Sequence, residues 1–239
     1  RRGSRSDPVP GHSPHRLTVP NDTTMKTMNL AEEVIEAHGG LARWQATESV
    51  RLTLWADGIA FRAKGHTQTL HHVTATIAIG HPHVSLAGRY PHPWQYRLGE
   101  HPRRSTAWRG RWSVDQAAEF TAGALWTYVN APLLAFLDGV TVEVPHLGRH
   151  HETRALRLTL PAGLGVHGPN HTLLIDEHGL IQSHHYVATA FGRRALASQS
   201  VDDNQPFDGL LIGTRRRVTP RLSPTRGAPG PTLVSIRLR

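Results

Sequence analysis

Residues 171–187 read HTLLIDEHGLIQSHHYV. Two runs rich in Leu, Ile, Tyr and Val flank Asp176-Glu177-His178-Gly179. Asp bonds its own backbone in turns and Gly takes the positive φ that a tight reversal needs. The reading is a β-hairpin with strands at 171–175 and 180–189. The same grammar recurs on both sides. Val140–Val144, Arg154–Leu160, Ala195–Val201, Leu210–Thr219 and Thr232–Leu238 are short runs with period-two apolar patterning. Toward the N-terminus, Val50, Leu52 and Leu54 alternate with polar residues. Ala56-Asp57-Gly58 signals a hairpin turn with Ile59 and Phe61 on a return strand. Thr69–Ile79 is another long alternating run, followed by Val84 and Leu86. The stretch 88–113 is loop-rich, with Pro91, Pro93 and Pro102 and room for two short strands.

Two segments break the β pattern. Leu30, Val34, Ile35 and Ala37 share a helical face; Asn29 is placed as its cap with Glu32 in capping-box position, and Gly39-Gly40 stop the helix. A second short turn follows from Leu41 to Trp44, with Trp44 directed to the core. Asp115–Leu137 is also helix-like, restarted at Pro132. No β–helix–β alternation follows residue 49, so the expected fold is mostly β (α+β): one curved antiparallel sheet, a half-barrel of about ten strands. The N-terminal helix and the central helical segment cover its concave face. Residues 1–24, rich in Arg, Ser, Pro and His, are expected to be a disordered tail. Residues 25–239 are expected to form one domain.

The chain carries 27 Lys+Arg against 18 Asp+Glu, net +9. Residues 213–239 hold seven Arg and no acid, whereas 25–212 balance. With the excess at the ends rather than along a stripe of the body, no nucleic-acid partner is expected. There is no cysteine, which excludes disulfides and thiol chemistry. No run approaches the roughly 20 apolar residues of a membrane span, and residues 1–24 lack an apolar leader core. A cytoplasmic location is the expectation.

The helix Ala31–Gly40 with Trp44, the following Ser49–Lys64 segment, Leu174–Leu180 leading to His185-Tyr186, and Phe207-Asp208-Gly209-Leu210 before Thr214-Arg215-Arg216-Arg217-Val218 carry a family resemblance. Together they resemble the bacterial lipoprotein carriers of the LolA/LolB-like half-barrel superfamily, nearest to a bacterial protein group of similar length. The resemblance runs over about residues 28–238. It implies a cavity between sheet and helices able to hold an acyl chain, and it brings no catalytic set. Two departures stand out: the carriers are exported, and Gly213 replaces a Pro frequent before the Thr-Arg-Arg run.

The functional expectation is therefore binding or carrying of an apolar or amphipathic, lipid-like small molecule. Candidate lining residues are Trp44, Leu52, Leu54, Phe61, Trp126, Tyr128, Leu134 and Phe136, with Tyr186, and with Arg216 as an inward cation for a head group. Each also has a plain reading, as core packing or, for the Arg run, as a charged edge strand. The alternative is an enzyme. His184 or His185 with Tyr186 could move a proton, or His81 and His83 could share a metal. No nucleotide-binding or nucleophile-elbow motif is present, no cofactor is expected, and the sequence does not set an oligomeric state.

Overall fold

The structure is a computed structural model and describes residues 22–98, 110–145, 154–161, 164 and 167–239, with side chains from Thr27 onward. The strands are β1 (Ser49–Asp57), β2 (Val73–Ala78), β3 (Val84–Gly88), β4 (Trp94–Leu98), β5 (Thr141–Glu143) and β6 (Arg154–Thr159), then β7 (Asn170–Ile175), β8 (Ile181–Val187), β9 (Leu196–Phe207), β10 (Leu210–Ser223), β11 (Arg226–Gly227) and β12 (Val234–Leu238). Four helices accompany them: α1 (Asp22–Ala37), α2 (Leu41–Ala46), α3 (Ile59–Ala63) and α4 (Val114–Val129). The strands form one antiparallel sheet in the order β4-β3-β2-β1-β12-β10-β9-β8-β7-β6-β5, with β11 folded back on β10. The sheet is curved and does not close, as expected from the sequence, with twelve strands in place of about ten.

Two meanders make up this sheet. One wing runs β1 to β4, the other β10 back to β5, and β12 lies between β1 and β10 and bonds to both. Within the second wing, Asp208 and Gly209 both take positive φ in a two-residue hairpin turn between Phe207 and Leu210, the conformation that Asp-Gly pairs supply. At the 176–179 turn the Asp176 carboxylate accepts from the amides of His178 and Leu180, at 2.9 and 2.8 Å.

α4 packs on β2, β3 and β4. Its start is fixed by a capping box: Ser113 Oγ accepts from the Gln116 amide at 3.2 Å, and the Gln116 side chain accepts from the Ser113 amide at 3.0 Å. Its end is fixed by Asn130, fully buried, whose side chain donates to Ala78 O and Trp126 O and accepts from the Gly80 amide. These bonds tie the helix to the β2–β3 turn. α1 lies against β5 and β6, and its Glu33 pairs with Arg154 at 2.7 Å.

Several expectations are corrected. Residues 59–63 are helix α3, not a return strand, and β1 pairs with β2. Gly58 takes φ 140°, a left-handed value, and packs so closely on Leu233 that a Cβ would lie 2.3 Å from its carbonyl oxygen. The chain is thereby thrown across the sheet, and the Ala60 amide bonds Leu233 O at 2.9 Å. Asn29 is not a cap: α1 is already helical from Asp22, so 22–24 are not part of a tail, and residues 1–21 lie outside the described residues. Of the 88–113 stretch, β4 is one short strand, and residues 99–109 lie outside the described residues. β10, with its Arg run, is not an edge strand but sits mid-sheet between β9 and β12. The C-terminal charge accordingly lies on the folded body: Arg215 and Arg237 face each other across β10 and β12 on the outer surface.

Candidate functional site

A cavity of about 420 Å³ lies between the concave face and helices α3 and α4. Strand parity builds one wall. Val218 and Pro220 of β10, Val234 and Ile236 of β12, and Ala197 of β9 all project to the inner face. Phe61 of α3 and Phe120 and Tyr128 of α4 close the opposite side, with Phe191 from the 3₁₀ turn at Thr189–Phe191. Seven lining residues are alanines, including Ala56, Ala60, Ala124 and Ala188. Where a packed interior would place Leu or Phe, these positions leave space. Ile59 and Leu196 stand at the rim, 48% and 41% exposed, beside Lys64 and Arg194. Lys64 Nζ sits over the rings of Trp112 and Phe191, 5.3 and 5.7 Å from their centres. Tyr128 and Tyr186 form the buried end, each 2% exposed.

Behind those two phenols lies a polar cluster inside the second wing. The hydroxyls of Tyr128 and Tyr186 bond each other. Tyr128 also meets His167 Nε2 at 3.3 Å, and the His167 ring stacks on Tyr186 at 4.1 Å. His171 Nδ1 and His184 Nε2 are hydrogen-bonded at 2.8 Å. Arg216 is 4% exposed. Its Nε donates to Gly213 O at 3.1 Å, Nη1 to Gln199 Oε1 at 2.9 Å and Nη2 to Tyr128 O at 3.0 Å. Its guanidinium carbon also lies 5.5 Å from the Tyr128 ring centre. None of these partners is a carboxylate. Backbone and amide dipoles with a ring face hold the buried cation instead.

Burial shifts every titrating group here toward its neutral form. Arg216 is lowered to about 10 and remains charged at neutral pH. His171 is lowered to about 4, and His167 and His184 fall well below the usual imidazole range. Tyr128 is raised to about 12 and Tyr186 well above its ordinary value. At neutral pH the cluster is one fixed positive charge among neutral rings.

Of the residues singled out in the sequence, the structure brings Phe61, Tyr128 and Tyr186 to the cavity. Trp44, Leu52, Leu54, Trp126 and Leu134 do not line it. Each is 2% exposed or less and packed in the continuous core, because helices and sheet meet directly at those positions. Phe136 is half-buried against the same core. Arg216 points inward while Arg215 and Arg217 point out, as strand parity requires. It sits behind Tyr128, bonded to three internal acceptors, and is not among the residues that line the cavity. His184 and His185 face opposite sides. His184 is inside the cluster, whereas His185 bonds Ser198 Oγ and Pro224 O under the β10–β11 hairpin. His81 and His83 lie in the β2–β3 turn, away from the cavity. Of the enzyme alternative's groups, the His184 ring lies 5.2 Å from that of Tyr186, centre to centre, whereas His185 and the His81/His83 pair stand apart from them. The parts missed were the alanines and Phe120, Phe191, Val218 and Ile236; for the strand members, period-two patterning was the available signal.

No protein-family model matches this sequence, and no curated protein matches it. Solved structures do. A LolA superfamily protein from Nitrosomonas europaea is 11% identical, with 89% of this chain and 91% of that chain covered and a TM-score of 0.41. A putative outer membrane lipoprotein-sorting protein domain from Vibrio parahaemolyticus is 7% identical, with 90% and 92% covered and a TM-score of 0.40. A DUF1329 family protein from Desulfovibrio piger is 10% identical, with 89% and 91% covered and a TM-score of 0.37. The similarity to LolA superfamily structures is thus present over about nine-tenths of the chain, as the sequence resemblance implied. The cytoplasmic expectation is corrected against these neighbours, one of which is named as a putative outer membrane lipoprotein-sorting protein domain. No helix among the described residues is long and apolar enough to cross a membrane.

Proposed function

We propose that this protein binds or carries an apolar or amphipathic small molecule, of acyl or lipid-like character, in the cavity between sheet and helices. The observation that supports this reading is the unfilled space itself. Packed interiors leave few voids larger than a water molecule, yet alanines on α3, α4, β8–β9 connections and β9 hold open about 420 Å³. That lies within the usual range of small-molecule sites. An apolar cavity of about 150 Å³ accommodates a benzene ring. By proportion this one takes a chain of very roughly 15 carbons. Burial drives such binding at about 25 cal/mol per Å² of apolar surface. The reading treats residues 25–239 as one binding unit, because one sheet spans residues 49–238.

The test is to fill the space. Ala124→Leu and Ala197→Leu add bulk to a wall from opposite sides. Binding of a neutral apolar fluorophore, N-phenylnaphthylamine, should weaken at least tenfold in either variant while thermal stability stays level or rises. Fluorophore binding equal to the parent's would remove the cavity from consideration.

A further inference from the structure

We propose that the ligand carries an anionic head group and binds tail first, with the head held at the rim by Lys64 and Arg194; this rests on the cavity being the binding site. The argument comes from how charge is distributed over the lining. Among the described lining residues are two cations and no carboxylate. Both cations are at the exposed end: Arg194 is exposed and Lys64 half-buried. They come from different elements, Lys64 from the end of α3 and Arg194 from the segment entering β9, and both line the cavity. Asp57, close in sequence to α3, lies on the outer face of β1 and pairs with Arg62 instead.

The opposite end has the reverse character. Ala124, one turn before Tyr128 on α4, lines it with the rings of Tyr128 and Tyr186, and the polar atoms that reach it are two phenol oxygens already bonded to each other. The Arg216 charge behind them is spent on three internal acceptors. Taking a carboxylate or phosphate to that end would strip its water with no cation in contact, and that desolvation would go uncompensated. At the rim the same group keeps part of its water and gains two cationic partners. Lys64 is suited to the position, because its ammonium is already held in place, over Trp112 and Phe191 and donating to Gly110 O at 3.2 Å. Ile59 and Leu196, apolar at the rim, then flank the upper chain.

Calorimetric titration of the full chain with laurate, dodecyl phosphate and dodecanol separates head from tail. Both anions should bind about tenfold tighter than the alcohol, the effect expected of one charge-assisted contact. The gap should close in Lys64→Gln/Arg194→Gln, and close in part in Arg194→Gln alone, which changes an exposed side chain. The outer-face variant Arg217→Gln/Arg237→Gln should keep the full gap. A preference for one anion over the other identifies the head that the rim takes and sustains the proposal. Dodecanol binding as tightly as both anions, or a gap that survives the rim variant, overturns it while leaving the cavity reading intact. No binding of any of the three overturns both.

Discussion

The two wings of the sheet are built from the same strand grammar and filled with different chemistry. On the β1–β4 side the inner face is aliphatic: Val50, Leu52, Leu54, Val73, Ile77 and Leu86 are all 2% exposed or less, and α4 lies directly on it. On the β7–β10 side the corresponding layer contains His171, His184, Gln199 and Arg216, equally buried. One cross-strand row runs Leu156–Leu173–His184–Gln199–Val218. The first wing is held by non-directional burial. The second is held by bonds that each need a partner, and its stability depends on protonation. The cavity lies between the two, where neither filling continues.

The largest expected break between the wings is produced by acid. In the folded state His171 and His185 are lowered to about 4, and His167 and His184 lie well below the usual imidazole range. Below the unfolded value near 6.5, the unfolded chain takes up protons that the folded chain refuses, so stability falls as pH drops from about 6.5 toward 4. At 1.36 kcal/mol per unit, each of the two with pKa about 4 contributes roughly 3 kcal/mol to that loss. Urea midpoints across this range should fall steeply, and less steeply in His171→Leu. A flat profile would mean that the second wing is not the acid-sensitive one.

Next comes Arg216→Leu. It strands Gln199 Oε1 and the carbonyls of Gly213 and Tyr128 in a dry interior, and should cost about 3–4 kcal/mol. Leu86→Ala, its counterpart in the aliphatic wing, should cost about 3 kcal/mol through the void it leaves. Its loss should be independent of pH where the parent's stability is not. Denaturation of both variants at neutral and acid pH checks the pair. The smallest effect is expected from Ser113→Ala, which removes half of the α4 capping box: about 1 kcal/mol, read as a shift in thermal midpoint.

Much of the frame can be read locally. Asp176-Glu177-His178-Gly179 and the alternation around it specify their hairpin without help from elsewhere, and Trp44 takes the core position its helix face assigns. The inward turn of Arg216 follows from parity alone. What resists reading is non-local. Ile59 and Phe61 fit a strand by period and a helical turn equally well over five residues. The decision is made by Gly58 packing on Leu233, far along the chain. β10 looks like a charged edge until β12 is known to pair with it. The cavity is harder still, because it is written in missing bulk. Its alanines are scattered over four elements, and each alone is an ordinary residue.

The seam strand β12 has a consequence for how the protein is made. β1 emerges early from the ribosome, yet its neighbour on one side is a strand more than 170 residues downstream. Until residues 234–238 have been synthesised, the nascent chain can hold two unjoined meanders, each with a bare, bond-ready border. Long-range pairing of this kind is slow and leaves such borders open to intermolecular association. A holding chaperone would matter most during that interval, and a chain shortened before Val234 would remain in it.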